Sequence, residues 1–214
     1  MAAPAPSLIE TVRVRGGVAP LWYLHLRRLA SSCKALGVPL PPELLVPAGG
    51  ADRVHRLEVG PKGVQVGERP VGPTAPVSLV MATVVHRPYP YKTTDRAQFD
   101  RALAEARAAG ADDALLLTQG GYVAECAVWG LFWWEGDRLC APPLELGVLP
   151  GVARARLEEV VGGIAERRAR TSDLEGRSLF VANAARGVVP VADLGGRKVP
   201  QDAGTSRVSG LFWP

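Results

Sequence analysis

The stretch from residue 77 to residue 117 restricts the fold more than any other part of the chain. Val77 to Val85 (VSLVMATVV) is a β-branched run of strand character, and His86 to Tyr91 (HRPYPY) is a connector punctuated by proline. Asp95 to Ala109 is rich in Ala with Arg and Glu between, and Asp113 to Leu117 is apolar again. The stretch thus reads as strand, connector, helix and strand in succession. Asp95 is expected to cap the helix and Gly110 to end it.

The N-terminal part repeats this alternation as a small α/β unit. Ser7 to Arg15 reads as a strand that ends at Gly16-Gly17. Leu24, Leu26, Leu29, Ala30, Cys33 and Leu36 then fall at largely helical spacing, and Gly37 stops that helix. A short helix is expected at Glu43 to Leu45, and short strands at His55 to Val59 and Gly63 to Val66. Beyond Gln119-Gly120-Gly121, Tyr122 to Trp134 reads as one strand, followed by Arg138 to Ala141. Leu149-Pro150-Gly151 opens a helix expected to run to about Arg170. Ser178 to Ala182 and Val188 to Val191 read as strands, and the Gly-rich tail after Gly195 is left unassigned. No internal repeat is found.

Composition narrows the function classes. With 47% hydrophobic residues in 214, the chain has material for a sizeable core, which excludes global disorder. No apolar stretch has membrane-spanning length. Met1-Ala-Ala-Pro-Ala-Pro lacks a basic region and an apolar run, so no secretory leader and a cytoplasmic location are expected. The net charge is +4, and only four of the 25 basic residues are lysine: Lys34, Lys62, Lys92 and Lys198. Arginine is spread along the chain, which speaks against nucleic acid and leaves small anionic molecules as partners. Three cysteines without CxxC spacing and three scattered histidines give no disulfide framework and no metal motif.

Three features carry chemistry. Lys92 follows the aromatic connector; partly desolvated it becomes a nucleophile for carbonyls, and otherwise it is a solvated surface lysine. Glu125 sits in an apolar strand, where it either meets a hydrogen-bonding partner or points to water. Leu149-Pro-Gly-Val-Ala-Arg154 opens a helix whose unpaired N–H groups suit an anion, although Pro and Gly are common at helix starts.

Taken together, these features resemble the class IV (fold-type IV) pyridoxal-phosphate enzymes, which include branched-chain and D-amino-acid aminotransferases and aminodeoxychorismate lyase. The matching segments are Ile9-Glu-Thr-Val-Arg13, His25-Leu-Arg-Arg-Leu29, Tyr91-Lys-Thr-Thr-Asp-Arg96, Ala114-Leu-Leu-Leu, Gly121-Tyr-Val-Ala-Glu125, Leu149-Pro-Gly-Val-Ala-Arg154 and Asn183-Ala-Ala-Arg-Gly187. They follow family order from about residue 7 to 194. The resemblance implies a two-domain α/β (α+β) fold. Residues 1–86 would form a small N-terminal α/β domain, 87–91 a connector, and 92–214 a larger cofactor-binding domain with a mainly β core and flanking helices.

The same resemblance implies site roles. Lys92 would hold pyridoxal 5'-phosphate covalently and then act as general acid and base. Glu125 would meet the pyridine nitrogen and Arg28 the phosphate, with the N–H groups of Val152 and Ala153 completing the phosphate cup and Ala184 beside it. Arg13 and Arg96 are the expected contacts for substrate carboxylates. Lys92-Thr-Thr-Asp-Arg96 is similar to the lyase pattern, and Ala97 stands where branched-chain aminotransferases have tyrosine. The first expectation is therefore conversion of 4-amino-4-deoxychorismate to 4-aminobenzoate and pyruvate. A class IV aminotransferase acting on branched-chain or D-amino acids is the alternative, and a fold-retaining relative with weak or no cofactor binding the second alternative. The last is supported by Ala127, Gly130, Ala153 and Ala184, which stand where the family often has hydroxyl or amide side chains. A homodimer is implied, with aminodeoxychorismate synthase as a further partner. The family's Gly-Asp-Gly-x-Phe stretch is missing ahead of Ile9, so a small domain trimmed at its edge is expected.

Overall fold

The computed structural model describes residues 6–45, 47–61 and 63–214. Lys62 and most of the N-terminal segment read above lie outside the described residues. Leu8–Val14 (β1), Arg53–Gly60 (β2) and Gly63–Arg69 (β3) pair antiparallel in the order β1-β2-β3. Trp22–Leu36 (α1) crosses this sheet. Its Leu29 and Cys33 pack on Leu8 and Val59, and its Trp22 packs on Val12 and Leu57. Gly37, at φ 64°, ends α1 in a left-handed cap that a residue with a Cβ adopts only at a cost.

The larger unit comprises Val77–Val85 (β4), Ala97–Ala108 (α2), Asp113–Leu117 (β5), Val123–Cys126 (β6), Gly130–Glu135 (β7) and Arg138–Ala141 (β8). It continues through Val152–Val161 (α3), Ala165–Glu166 (β9), Leu179–Asn183 (β10), Gly187–Leu194 (β11), Arg197–Lys198 (β12) and Ala203–Leu211 (α4). The sheet runs β6-β5-β4-β11-β10-β7-β8-β9, with β12 added to β11. Strand β4 is parallel to both β5 and β11. Both faces are covered, which explains why β10 reads as a continuous apolar run. Leu179 and Val181 enter one core with Leu115, Leu131 and Trp133, and Phe180 enters another with Phe132, Leu157, Val208 and Phe212. Helix α2 lays Phe99, Ala102 and Ala106 on Ala114 and Leu116. The two-domain α/β architecture expected from the sequence is the one observed.

Four local expectations need correction, and the unassigned tail proves to be ordered. Glu43 to Leu45 forms no helix. Helix α2 starts at Ala97 behind Arg96, so Asp95 does not cap it. Tyr122 to Trp134 is two strands, because the Cys126 N–H donates to the Trp129 carbonyl and closes a turn. Asp113 braces that turn by accepting from the Val128 N–H at 3.0 Å. The third helix stops at Val161, where Gly162 takes φ 77°, well short of Arg170. The tail is ordered by an Asp202 side chain that accepts from the Gly204 N–H and caps α4. In addition, β4 belongs to the larger sheet. The two sheets therefore part between Arg69 and Val77 rather than at the 87–91 connector, because a β-branched run does not declare which sheet it will join.

Candidate active site

A cavity of about 290 Å³ lies where the two sheets meet. Its wall takes Thr11 from β1, Arg28 from α1, Lys92 from the connector, Glu125 from β6, Val152 and Ala153 from α3, and the turn after β10. Lys92 is fastened by its backbone. The Ile9 N–H donates to the Lys92 carbonyl at 2.7 Å, and the Thr94 N–H donates to the Ser7 carbonyl at 2.8 Å. Tyr89 locks the same segment: its hydroxyl donates to the Thr93 carbonyl at 2.6 Å and accepts from the Thr93 N–H at 2.7 Å. The prolines of the connector thus become the stiff part of a clamp around one amine.

Burial and the nearby Arg28 and Arg96 guanidinium groups push the Lys92 ammonium down to about 7. Above that pH the amine is uncharged and nucleophilic. An aldehyde that reacts with Lys92 is therefore expected to do so faster as pH rises through about 7, with a plateau above it. Stopped-flow absorbance of aldehyde uptake checks this, and a midpoint near the ordinary lysine value of 10.5 contradicts it.

Glu125 is 8% exposed. Its Oε1 accepts from the Leu149 N–H at 3.1 Å and lies 2.9 Å from His86 Nε2. The other oxygen has no protein partner among the described residues. On the opposite wall, Arg28 donates through Nε and Nη2 to Glu10, which His25 also contacts at 2.6 Å. Burial opposes ionisation of Glu10, yet the Arg28 charge and the His25 contact hold its carboxyl down at about 2. Helix α3 opens on the cavity with no side-chain cap, leaving its first N–H groups for an incoming acceptor. Asn183 shapes the last wall by accepting from the N–H groups of Ala185 and Arg186, which places Ala184 at the cavity.

The structure thus brings together Arg28, Lys92, Arg96, Glu125, Val152, Ala153 and Ala184. It does not bring Arg13 among them. That guanidinium donates to Asp52 at 2.6 Å, to the Val14 carbonyl and, at 3.5 Å, to the carbonyl of the cavity-lining Ala185, and it does not itself line the cavity. Arg96 reaches the cavity, but its Nη2 donates to the Ala127 carbonyl. Four further arginines line the space: Arg56, Arg69, Arg154 and Arg186. Arg154 is buried and donates to the Pro142 carbonyl and Glu166. Arg56 is paired with Glu58. Arg69 and Arg186 pair with no carboxylate among the described residues, and Arg186 lies 4.0 Å from the centre of the Trp129 ring. Sequence reading passed over Arg186, although it stands inside the quoted Asn183-Ala-Ala-Arg-Gly187 segment.

Sequence and fold both have known relatives. The sequence profile of the family described as amino-transferase class IV matches residues 68–194. A Rickettsia felis protein, provisionally assigned as a branched-chain-amino-acid aminotransferase, is 31% identical over 123 residues, covering 53% of this chain and 42% of that protein. The match therefore spans less than half the length of that relative. Among solved structures, a provisionally assigned amino-acid aminotransferase from Mesorhizobium loti is 27% identical, with 88% of this chain and 100% of that one covered at a TM-score of 0.81. A provisionally assigned 4-amino-4-deoxychorismate lyase from Legionella pneumophila shares the fold at a TM-score of 0.82, with 23% identity over 96% of this chain and 89% of that one.

Proposed function

The chain belongs to the class IV aminotransferase family, and from that premise we propose that it is a pyridoxal-phosphate enzyme acting as an aminotransferase on a small anionic substrate. The observation that carries this reading is the company Lys92 keeps. One cavity holds an amine poised near neutrality, a carboxylate with one free oxygen, a guanidinium held from behind, and an uncapped helix N-terminus. That donor set fits pyridoxal 5'-phosphate. Lys92 would take its aldehyde carbon, Glu125 its ring nitrogen, and Arg28 with the Val152 and Ala153 N–H groups its phosphate.

When bound, the cofactor withdraws electrons from the amino-bearing carbon of the substrate and makes its proton labile. The Lys92 amine, uncharged above about pH 7, accepts that proton and later returns it. Glu125 would meet the ring nitrogen with the oxygen that has no partner among the described residues. Arg69 and Arg186, neither of which forms a salt bridge among the described residues, would draw substrate carboxylates to the mouth.

The aminotransferase reading is supported by the Rickettsia and Mesorhizobium relatives. A second reading, the lyase that forms 4-aminobenzoate and pyruvate, is favoured by Lys92-Thr-Thr-Asp-Arg96 followed by Ala97. A synthase partner would belong with that second reading. A homodimer goes with either, and sedimentation tests it. No helix is long and apolar enough to cross a membrane among the described residues.

Keto-acid dependence separates the two reactions. An aminotransferase turns over an amino donor only when an α-keto acid is supplied. Pyruvate release from 4-amino-4-deoxychorismate without any keto acid would establish the lyase instead. In either case Arg186→Leu is expected to raise KM about tenfold or more, with a smaller change in kcat, because it removes a substrate contact and leaves Lys92 in place.

A further inference from the structure

Glu125 lines the cavity and engages the protein through one oxygen only among the described residues, and His86 stands behind that oxygen. His86 follows β4, and its backbone N–H donates to the Leu117 carbonyl at 2.7 Å. Its ring is buried, with Phe99 edge-on at 6.4 Å. Nε2 lies 2.9 Å from Glu125 Oε1, while Nδ1 is buried and has no hydrogen-bond partner among the described residues.

That orphaned nitrogen decides where the proton sits. A doubly protonated ring would bury an Nδ1–H donor with nothing to receive it. A neutral ring protonated on Nδ1 would bury the same orphan and also set a bare lone pair against a carboxylate oxygen. A neutral ring protonated on Nε2 has neither fault: it donates to Glu125 and leaves only an unpaired acceptor among apolar neighbours.

We propose that His86, neutral and protonated on Nε2, is a positioning residue that holds Glu125 as a full carboxylate with Oε2 presented to the cavity. The Leu149 N–H, the second donor on Oε1, helps fix the rotation. A cationic His86 would cancel the Glu125 charge and weaken its hold on a protonated ring nitrogen. The neutral ring orients the carboxylate without discharging it. The consequence for the cofactor rests on the reading given under Proposed function; the protonation state of His86 does not.

Two measurements decide the matter. The first is nitrogen NMR of the full chain labelled at histidine, before cofactor is added. The His86 ring is expected as the Nε2–H tautomer, with Nδ1 unprotonated. A doubly protonated ring, or the Nδ1–H tautomer, overturns the proposal whatever the cavity binds.

The second is titration of pyridoxal phosphate into wild type, His86→Gln and His86→Leu, with amide spectra recorded to check folding. Glutamine restores a donor near Nε2 and is expected to bind within about threefold of wild type, whereas leucine weakens binding at least about tenfold. Leucine is also expected to move the pH at which the bound chromophore changes. Wild-type binding and an unmoved chromophore titration in His86→Leu overturn the proposal, as does failure of glutamine to rescue. Should His86→Leu not fold, the tautomer and His86→Gln still decide. Failure of wild type itself to bind overturns the reading of the cavity, and the NMR result stands independently.

Discussion

Replacing Lys92 with alanine is expected to lower turnover at least about a thousandfold while the protein stays folded. No other lysine lines the cavity among the described residues, so no second amine stands in for it. The segment is held by backbone bonds to β1 and by the Tyr89 hydroxyl, none of which uses the Lys92 side chain. Stability moves in the opposite direction. The folded ammonium titrates near 7 and the unfolded one near 10.5, so the unfolded chain binds the extra proton between these values. The destabilisation is therefore full below about pH 7 and is relieved as pH rises toward 10.5. Lys92→Met, which keeps most of the packing, is expected to melt higher than wild type at pH 7 and to converge with it in alkali. Thermal unfolding across that window checks the sign, and steady-state kinetics checks the loss of turnover.

Glu10→Gln is expected to give the largest loss of stability at the site. Glu10 is 2% exposed and accepts from both Arg28 and His25. Removing its charge leaves a buried guanidinium without its counter-ion, which costs about 3–5 kcal/mol in comparable pairs. Arg28 also loses the fork that aims it at the cavity, so cofactor affinity falls with stability. The folded carboxyl titrates near 2 against 4.5 unfolded. Its contribution is thus present above about pH 4.5 and is lost as pH falls toward 2. Denaturant unfolding is expected to show a wide gap between variant and wild type at neutral pH that narrows in acid. A constant gap would mean that the Glu10 charge is not what matters.

Much of the fold is legible in the chain, because its strands and helices differ in period. β4, β5 and the N-terminal strand-helix pair emerge within a residue or two of where the patterns place them. What is missed depends on distant partners. The break at Ala127 to Trp129 comes from Asp113, fourteen or more positions earlier, whose carboxyl is pushed up to about 6 by the burial that lets it brace that turn. Placement of β4 in the larger sheet depends on pairing with β5 and β11, which no local composition states. Gly162-Gly163, by contrast, was a visible stop signal for α3.

The site divides in the same way. Lys92, Glu125 and the helix start at Gly151 stand out because each is a residue type whose placement demands a reason. Arg13 misleads because an arginine in a matching segment is equally suited to an ion pair, and Asp52 claims it. His86, Glu10 and His25 work through other residues, and only three-dimensional contact reveals that.

Covalent attachment of the cofactor to Lys92 has a direct chemical readout. The most direct measurement incubates the full chain with pyridoxal phosphate, reduces it with borohydride and maps the modified peptide. With four lysines in the chain, the account predicts one stoichiometric label, on Lys92, and loss of the visible absorbance on reduction. Label on Lys34, Lys62 or Lys198 in its place, or no stoichiometric label at all, contradicts it.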